Sequence, residues 1–182
     1  KDTVMPARIY GAAGYTELQT QSTAVANVLL LPTSGTKLLS DTPTSGTNTL
    51  AAIFQNIGET VTVSASAATG ALQYDVLTQS VLYYTTNASG NWTVNFRASS
   101  GTSLNTALAT GQSVTVAFLV AQGGTAYYNS AVQVDGSAVT PKWQGGTAPT
   151  SGNASAVDLY NYVIIKTGSA TFTVLASQTK FS

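Results

Sequence analysis

The chain reads as an all-β protein: an antiparallel β-sandwich of jelly-roll type over residues 49–182, preceded by an extended N-terminal arm over residues 1–48. Three observations predict this. Short runs alternate apolar and polar residues with a period of two, most clearly in Val114-Thr-Val-Ala-Phe-Leu-Val120 and Thr171-Phe-Thr-Val-Leu-Ala176. That period marks strands with one buried face. Gly, Pro or Asn interrupts such runs every 8 to 12 positions in the second half of the chain, the turn spacing of a sandwich. Hydrophobic residues make up 43% of the chain and charged residues 8%, enough apolar content for a core and none of the net charge of a disordered segment.

Taken in order, residues 1–48 are rich in Thr, Ser, Gly and Pro, with turn clusters at Pro32-Thr-Ser-Gly35 and Thr42-Pro-Thr-Ser-Gly-Thr-Asn48. They read as an arm with a strand or two, docked on a neighbour or on its own sandwich. Strands are expected at 49–56, 60–65, 74–85, 92–98, 113–120, 131–134, 159–166 and 170–176. Val114, Val116 and Phe118 fall on one face, as do Phe172 and Val174. Residues 103–110 are the best helical stretch. Leu104 and Leu108 are i,i+4 neighbours there, Ser103 is placed to cap, and Gly111 follows as a stop. A single turn is all they predict. Asp135-Gly136 between 131–134 and 137–141 signals a tight hairpin. Eight strands with long returns point to two sheets. No repeat of fixed period is present, which argues against a solenoid or propeller.

Composition narrows the function. With 182 residues the chain is long enough for one well-buried core. Seven basic and seven acidic residues cancel. The cations Lys1, Arg8, Lys37, Arg97, Lys142, Lys166 and Lys180 stand singly along the sequence, so no basic stripe offers itself to nucleic acid. There is no cysteine and no histidine, which removes disulfides, thiolate chemistry, the commonest general base and the commonest transition-metal ligand. No segment reads as a signal peptide or a membrane span. The apolar run Val25-Ala-Asn-Val-Leu-Leu-Leu31 is too short to cross a bilayer. The carboxylates Asp2, Glu17, Asp41, Glu59, Asp75, Asp135 and Asp158 form no close pair of the kind glycoside hydrolysis uses, nor a calcium loop. Gly123-Gly124 and Gly145-Gly146 lack the Lys-Ser/Thr of a phosphate loop and read as turns. The expectation is therefore a protein that is not an enzyme, with no catalytic residue, cofactor or metal.

The aromatic residues are the remaining candidates. Adjacent pairs such as Tyr83-Tyr84 and Tyr127-Tyr128 place one ring inward and one outward if they lie in strands. Trp143 lies in the Gly- and Pro-rich stretch 141–149, where its indole either plugs one end of the sandwich or is presented to a partner. Trp143, Tyr128, Tyr160 and Tyr84 are the expected interface or glycan contacts, since rings that are half apolar and half polar suit both roles.

Several segments together resemble a known pattern. They are Tyr83-Tyr-Thr-Thr-Asn-Ala-Ser-Gly-Asn-Trp-Thr-Val-Asn-Phe-Arg97, Leu104-Asn-Thr-Ala-Leu-Ala-Thr-Gly-Gln-Ser-Val-Thr-Val-Ala-Phe-Leu-Val120, Ala126-Tyr-Tyr128, Gln133-Val-Asp-Gly136, Val139-Thr-Pro-Lys-Trp-Gln-Gly-Gly-Thr-Ala-Pro149 and the run from Ile164 to Phe181. Over roughly residues 75–182 they resemble a module of virion structural proteins of tailed phages, above all phages of marine cyanobacteria, seen in tail-fibre-like and other exterior proteins. The resemblance implies a non-enzymatic structural role on the outside of the particle and no catalytic residues to transfer. In tail fibres the module usually ends a longer chain. A short chain leaves open a capsid decoration or a tail or baseplate appendage. The expected partners are other copies of the chain as a homotrimer, capsid or tail proteins, and, in the alternative reading, a host surface glycan. Neither nucleic acid nor membrane insertion is expected.

Overall fold

The computed structural model describes residues 7–11, 14–18 and 58–182, and the chain divides into two units, Lys1–Phe54 and Gln55–Ser182. In the first unit the described residues form an antiparallel hairpin of β1 (Ala7–Gly11) and β2 (Gly14–Leu18). The rest of the expected arm, and the strand expected at 49–56, lie outside the described residues.

The second unit is all-β, with a six-stranded and a four-stranded sheet that contribute to one core. The chain changes sheet at every step of its first half. β3 (Val61–Ala67) lies in the larger sheet, β4 (Gly70–Asp75) in the smaller, β5 (Val81–Thr86) in the larger, β6 (Trp92–Arg97) in the smaller, β7 (Ser113–Ala121) in the larger and β8 (Asn129–Val134) in the smaller. Neighbours within a sheet are therefore one full circuit apart and run the same way. β3 with β5, β5 with β7, β4 with β6 and β6 with β8 are all parallel. This corrects the antiparallel expectation. A jelly roll built of antiparallel Greek keys would not pair these strands in parallel. A parallel pair needs a crossover between its strands, and here the crossover is a strand of the opposite sheet.

Antiparallel pairing takes over in the second half. β9 (Ser137–Val139) folds back on β8 through Asp135 and Gly136, both at positive φ (51° and 80°), the geometry that makes Asp-Gly a hairpin turn. β10 (Lys142–Trp143) is a two-residue edge strand, parallel to the last strand. β11 (Val157–Gly168) and β12 (Thr171–Phe181) form a long antiparallel hairpin, and β11 joins it to β7. The larger sheet thus runs β10-β12-β11-β7-β5-β3 and the smaller β4-β6-β8-β9.

The expected strand at 74–85 is two strands in different sheets. Asp75-Val-Leu-Thr-Gln-Ser80 makes the bend between them, closed by Thr78 N–H donating to Asp75 O (2.9 Å). Bends of successive circuits bond to one another. Val76 N–H donates to Arg97 O (2.9 Å) and Leu77 N–H to Ala98 O (3.1 Å) at one end. Ser89 N–H donates to Ala68 O (3.2 Å) and Ala88 N–H to Ala121 O (2.9 Å) at the other. Ala68 and Ala88 are buried in these bends.

The long bend between β6 and β7 holds the predicted helical turn, α1 (Leu104–Ala107). Ser103 caps it as expected, its Oγ accepting from Thr106 N–H at 3.0 Å. The helix ends at Leu108 in extended conformation rather than at Gly111. Two remote side chains complete its ends. The Asp135 carboxylate accepts from Leu104 N–H (2.7 Å) and Asn105 N–H (2.9 Å). Lys166 Nζ donates to Asn105 O (2.6 Å) and Leu108 O (2.9 Å). A carboxylate at the N-terminus and an ammonium at the C-terminus oppose the partial charges of the free N–H and C=O groups.

The core between the sheets is aromatic. Tyr74, Trp92, Phe96, Phe118, Tyr160 and Tyr162 are fully buried. Their rings touch in a continuous chain: Tyr74–Phe96 (5.3 Å between centroids), Phe96–Tyr162 (4.9 Å), Tyr162–Tyr160 (6.4 Å), Tyr160–Trp92 (5.7 Å) and Trp92–Phe118 (5.9 Å). Most contacts are tilted or edge-on, the favoured arrangement for rings with negative faces and positive edges. Removing one such ring costs about 3–5 kcal/mol.

Polar groups lie at both ends of the core-facing side of β11. Asp158 and Lys166 occupy the first and last inward positions of β11 and are both buried. Asp158 accepts from Gln122 Nε2 (3.0 Å), from Asn153 N–H (3.1 Å) and from Asn153 Nδ2. Gln122 also clamps the backbone of Tyr127, donating to its O (2.6 Å) and accepting from its N–H (3.0 Å). Gly152 lies against this cluster. A Cβ there would stand 2.1 Å from Tyr127 O, 2.8 Å from Gln122 Nε2 and 2.9 Å from Asp158 Oδ2. Gly152→Ala is expected to destabilise the unit by about 3 kcal/mol, because a backbone oxygen must move. Gly124→Ala, with open space around its Cβ position, stays within about 1 kcal/mol of the parent. Urea unfolding of both variants checks the pair.

Candidate functional site

Two surfaces stand out once the core is accounted for. The first is the outer face of the six-stranded sheet. Alternation turns Val61, Val63 and Ala65 of β3 outward, then Val81, Tyr83 and Thr85 of β5 and Thr115, Ala117, Leu119 and Ala121 of β7. Leu159, Asn161, Val163 and Ile165 of β11 and Thr173, Leu175, Ser177 and Thr179 of β12 continue it. Register aligns these in rows such as Val63–Tyr83–Leu119–Leu159–Thr179. None of these positions carries a charge. Val63 keeps 63% of its surface exposed, Val61 49% and Leu175 41%. Val61 and Val63 lie at one margin of the face and Leu175 toward the other, with the half-buried Val81, Tyr83, Leu119, Leu159 and Val163 between them, and an apolar face of this extent marks an interaction surface.

The second is a groove beside Trp143. β10 covers only Leu175 and Ala176 of β12. The Gln144–Gly146 turn then leads the chain away, with Gly145 and Gly146 at φ 76° and 80°. Trp143, Gln144, Thr147 and Pro149 form one wall and Gln178, Thr179 and Lys180 of β12 the other, around about 540 Å³.

The four aromatic residues singled out in the sequence separate. Trp143 is half-buried, its ring edge-on to Tyr160 (6.4 Å) and Tyr162 (6.3 Å), so it plugs the core and also walls the groove. Tyr160 is fully buried and touches no solvent, which removes it as a surface contact. Its hydroxyl accepts from Gln178 Nε2 (3.0 Å) and Asn129 N–H (3.4 Å). Tyr84 is half-buried with its ring edge-on to Phe118 at 5.6 Å, packed on the core. Tyr128 is half-exposed and away from the groove lining, its N–H donating to Asn91 Oδ1 at 3.1 Å. Of the four, only Trp143 meets the groove.

Three of the described carboxylates have structural partners. Asp75 pairs with Arg97 across the β4–β6 register (2.5 Å), Asp135 caps α1, and Asp158 sits among amide donors. Among the described residues no group of three His, Cys, Asp or Glu side chains gathers to hold a metal ion, and no helix is long and apolar enough to cross a membrane. The chain matches no protein-family model, no curated protein and no solved structure.

Sequence reasoning missed Gln178, the Asp158 cluster and the cap made by Lys166. One signal was present. Positions 158, 160, 162, 164 and 166 read Asp, Tyr, Tyr, Ile, Lys, so the alternation that defines the strand already turned both charges inward.

Burial raises the phenols of Tyr74, Tyr160 and Tyr162 well above their ordinary value of 10.0. The nearby Glu59 carboxylate raises Tyr74 further, and Asp158 does the same for Tyr160. Above about pH 10 the unfolded chain releases protons that the folded chain retains, so stability falls as pH rises. Expected is a stability that these phenols leave unchanged below pH ~9 and that drops beyond ~10, with phenolate absorbance appearing together with unfolding. Phenolate formation of all tyrosines while the fold persists would contradict the burial of these three.

Proposed function

We propose that this chain is a non-enzymatic structural protein of the exterior of a tailed-phage particle, either tail-, baseplate- or fibre-associated or capsid-decorating, and that it stabilises the particle through contacts between its own copies. The resemblance over residues 75–182 supports the setting. The observation that carries the mode of action is the uncharged outer face of the larger sheet.

The occupant proposed for that face is a second copy of the chain. With strands about 4.8 Å apart and about 3.3 Å of rise per residue, the face of β3, β5, β7, β11 and β12 spans on the order of 600 Å² in projection. A stable interface buries about 800 Å² of accessible surface per partner, which a pleated face of this span supplies. A zero formal charge puts no long-range repulsion between copies. Three such faces turned toward a common axis close on one another without leaving an open apolar surface, the arrangement of a homotrimer. In this reading the N-terminal segment is the arm that fastens the assembly to the particle.

Light scattering of the purified chain tests it. Expected is a species of three times the 18.6 kDa chain mass. Leu119→Lys, which sets a charge in the middle of the face, is expected to yield a monomer with unchanged circular dichroism. A parent chain that stays monomeric at high concentration defeats the reading. A count of copies per particle then separates decoration from a tail or baseplate position.

A further inference from the structure

We infer that the groove between the Gln144–Gly146 turn and the end of β12 binds a short acidic saccharide, with a sugar ring on Trp143 and its polar groups read by Gln178 and Lys180. The inference does not depend on how copies of the chain assemble.

The groove is a consequence of strand lengths. β12 has eleven residues and its outer neighbour β10 has two, so beyond Ala176 the edge of the sheet is open. The positive φ angles at Gly145 and Gly146 carry the following loop off that edge, and a side chain at either position would be strained. The opening is thus written into the backbone.

Three groups on its walls are prepared for a polyhydroxylated ring. Trp143 is fixed from behind by the edges of Tyr160 and Tyr162, at interplanar angles of 76° and 68°. A ring already held in place loses little freedom when a ligand stacks on it, and indole suits the C–H face of a sugar. Gln178 is oriented by two bonds of its Nε2, to Tyr160 Oη at 3.0 Å and to Ser151 O at 3.3 Å. Its Oε1 accepts from no described residue and is left for a hydroxyl. Lys180 is exposed and forms no ion pair among the described residues.

The lining contains a cation and no carboxylate, which selects an acidic sugar over a neutral one. The walls suit other ligands poorly. An apolar helix or tail needs an apolar groove, and this lining is mostly amides, hydroxyls and an ammonium. A phosphate site of the loop type needs converging backbone N–H groups at a helix start, and the one helical segment in the lining, the three-residue turn Gln144–Gly146 broken by Gly145 at positive φ, is too short to gather them.

The chain holds two tryptophans, Trp92 in the core and Trp143 on the groove, so ligand-dependent tryptophan emission reports on Trp143. The probes are trigalacturonic acid and the uncharged maltotriose, titrated into the full chain. Expected is a saturable emission change with trigalacturonic acid alone, weakened by added salt. Lys180→Gln is expected to weaken binding about three- to fivefold, and Gln178→Ala to weaken it further. Both sites lie at the sheet edge, and unchanged circular dichroism verifies their folds. Trp143→Phe keeps a ring against Tyr160 and Tyr162 and should retain binding, measured by calorimetry, at about tenfold lower affinity. No saturable change with either sugar, equal binding of both, or full affinity in Lys180→Gln overturns the inference. Pairing of an extended peptide with the open edge of β12, untouched by the Gln178 and Lys180 substitutions, also overturns it.

Discussion

A two-sheet protein built from a chain that changes sheet at each step has few lateral bonds between consecutive strands. Its sheets are tied by hydrogen bonds between circuits, and the two layers are held face to face only by what fills the space between them. Here that filling is a chain of touching rings from Tyr74 through Phe96, Tyr162, Tyr160 and Trp92 to Phe118. Three of these contacts, Phe96–Tyr162, Trp92–Tyr160 and Trp92–Phe118, cross from β6 to β11 or β7, so the same contacts that bury apolar surface also set the spacing of the sheets. Trp143 on β10 and Tyr84 on β5 extend the chain at its margins. Everything at the surface inherits its position from this layer. The groove wall is backed by the layer, through Trp143 against Tyr160 and Tyr162, and the outer face of the larger sheet is the reverse side of the strands that carry Phe118, Tyr160 and Tyr162 inward.

Polar groups at the two ends of β11 work under the same constraint. A buried carboxylate or ammonium is tolerable only with partners that replace water. Asp158 finds amides from two loops and Lys166 finds the free carbonyls at the end of α1. Each uses its partners to hold an irregular segment against the regular sandwich. Asp135 does so from a hairpin turn, reaching about thirty residues back along the chain to α1. The long bends are thereby fixed by three buried or half-buried charges, and in the bend that holds α1 also by Leu104 in the core and Leu108 packed against it.

Much of this architecture was legible in the residues themselves. Alternation placed β6, β7, β11 and β12 and told inward from outward positions, since a period of two fixes the face of every side chain. Asp135-Gly136 announced its hairpin and Ser103 its cap because both are local chemistry. The direction of neighbouring strands was not legible. Alternation is the same in a parallel and an antiparallel strand that each bury one face, and the choice between them is made by where a bend delivers the chain. The bend at Asp75–Ser80 was hidden because Tyr74 and Leu82 are both core residues and the intervening Val and Leu kept the apolar pattern alive. For Trp143 the residues left plugging and presenting as alternatives, and in the structure its ring packs on Tyr160 and Tyr162 while also lining the groove; Tyr160 was indistinguishable from a surface tyrosine until its partners Asn129 and Gln178, distant in sequence, were in place. The irregular spacing of the circuits, with β3, β5 and β7 starting at residues 61, 81 and 113, kept their winding from showing as a repeat.

The position of β11 and β12 has a consequence for how the chain comes into being. The hairpin of β11 and β12, synthesised after all the strands from β3 to β10, takes two of the six places in the larger sheet, between β7 and β10, and it brings Tyr160, Tyr162, Ile164 and Val174 to the core. Until it arrives, the winding from β3 to β8 presents β7 as a free edge and Trp92 and Phe118 without their cover. Val114 to Val120 is then an uncharged strand, rich in β-branched residues, with the backbone groups that β11 will pair left open, the kind of edge that recruits a strand from another unfinished molecule. A nascent chain of this design is most exposed to misassociation after β7 has emerged and before β11 has, so its yield in the cell depends on that interval.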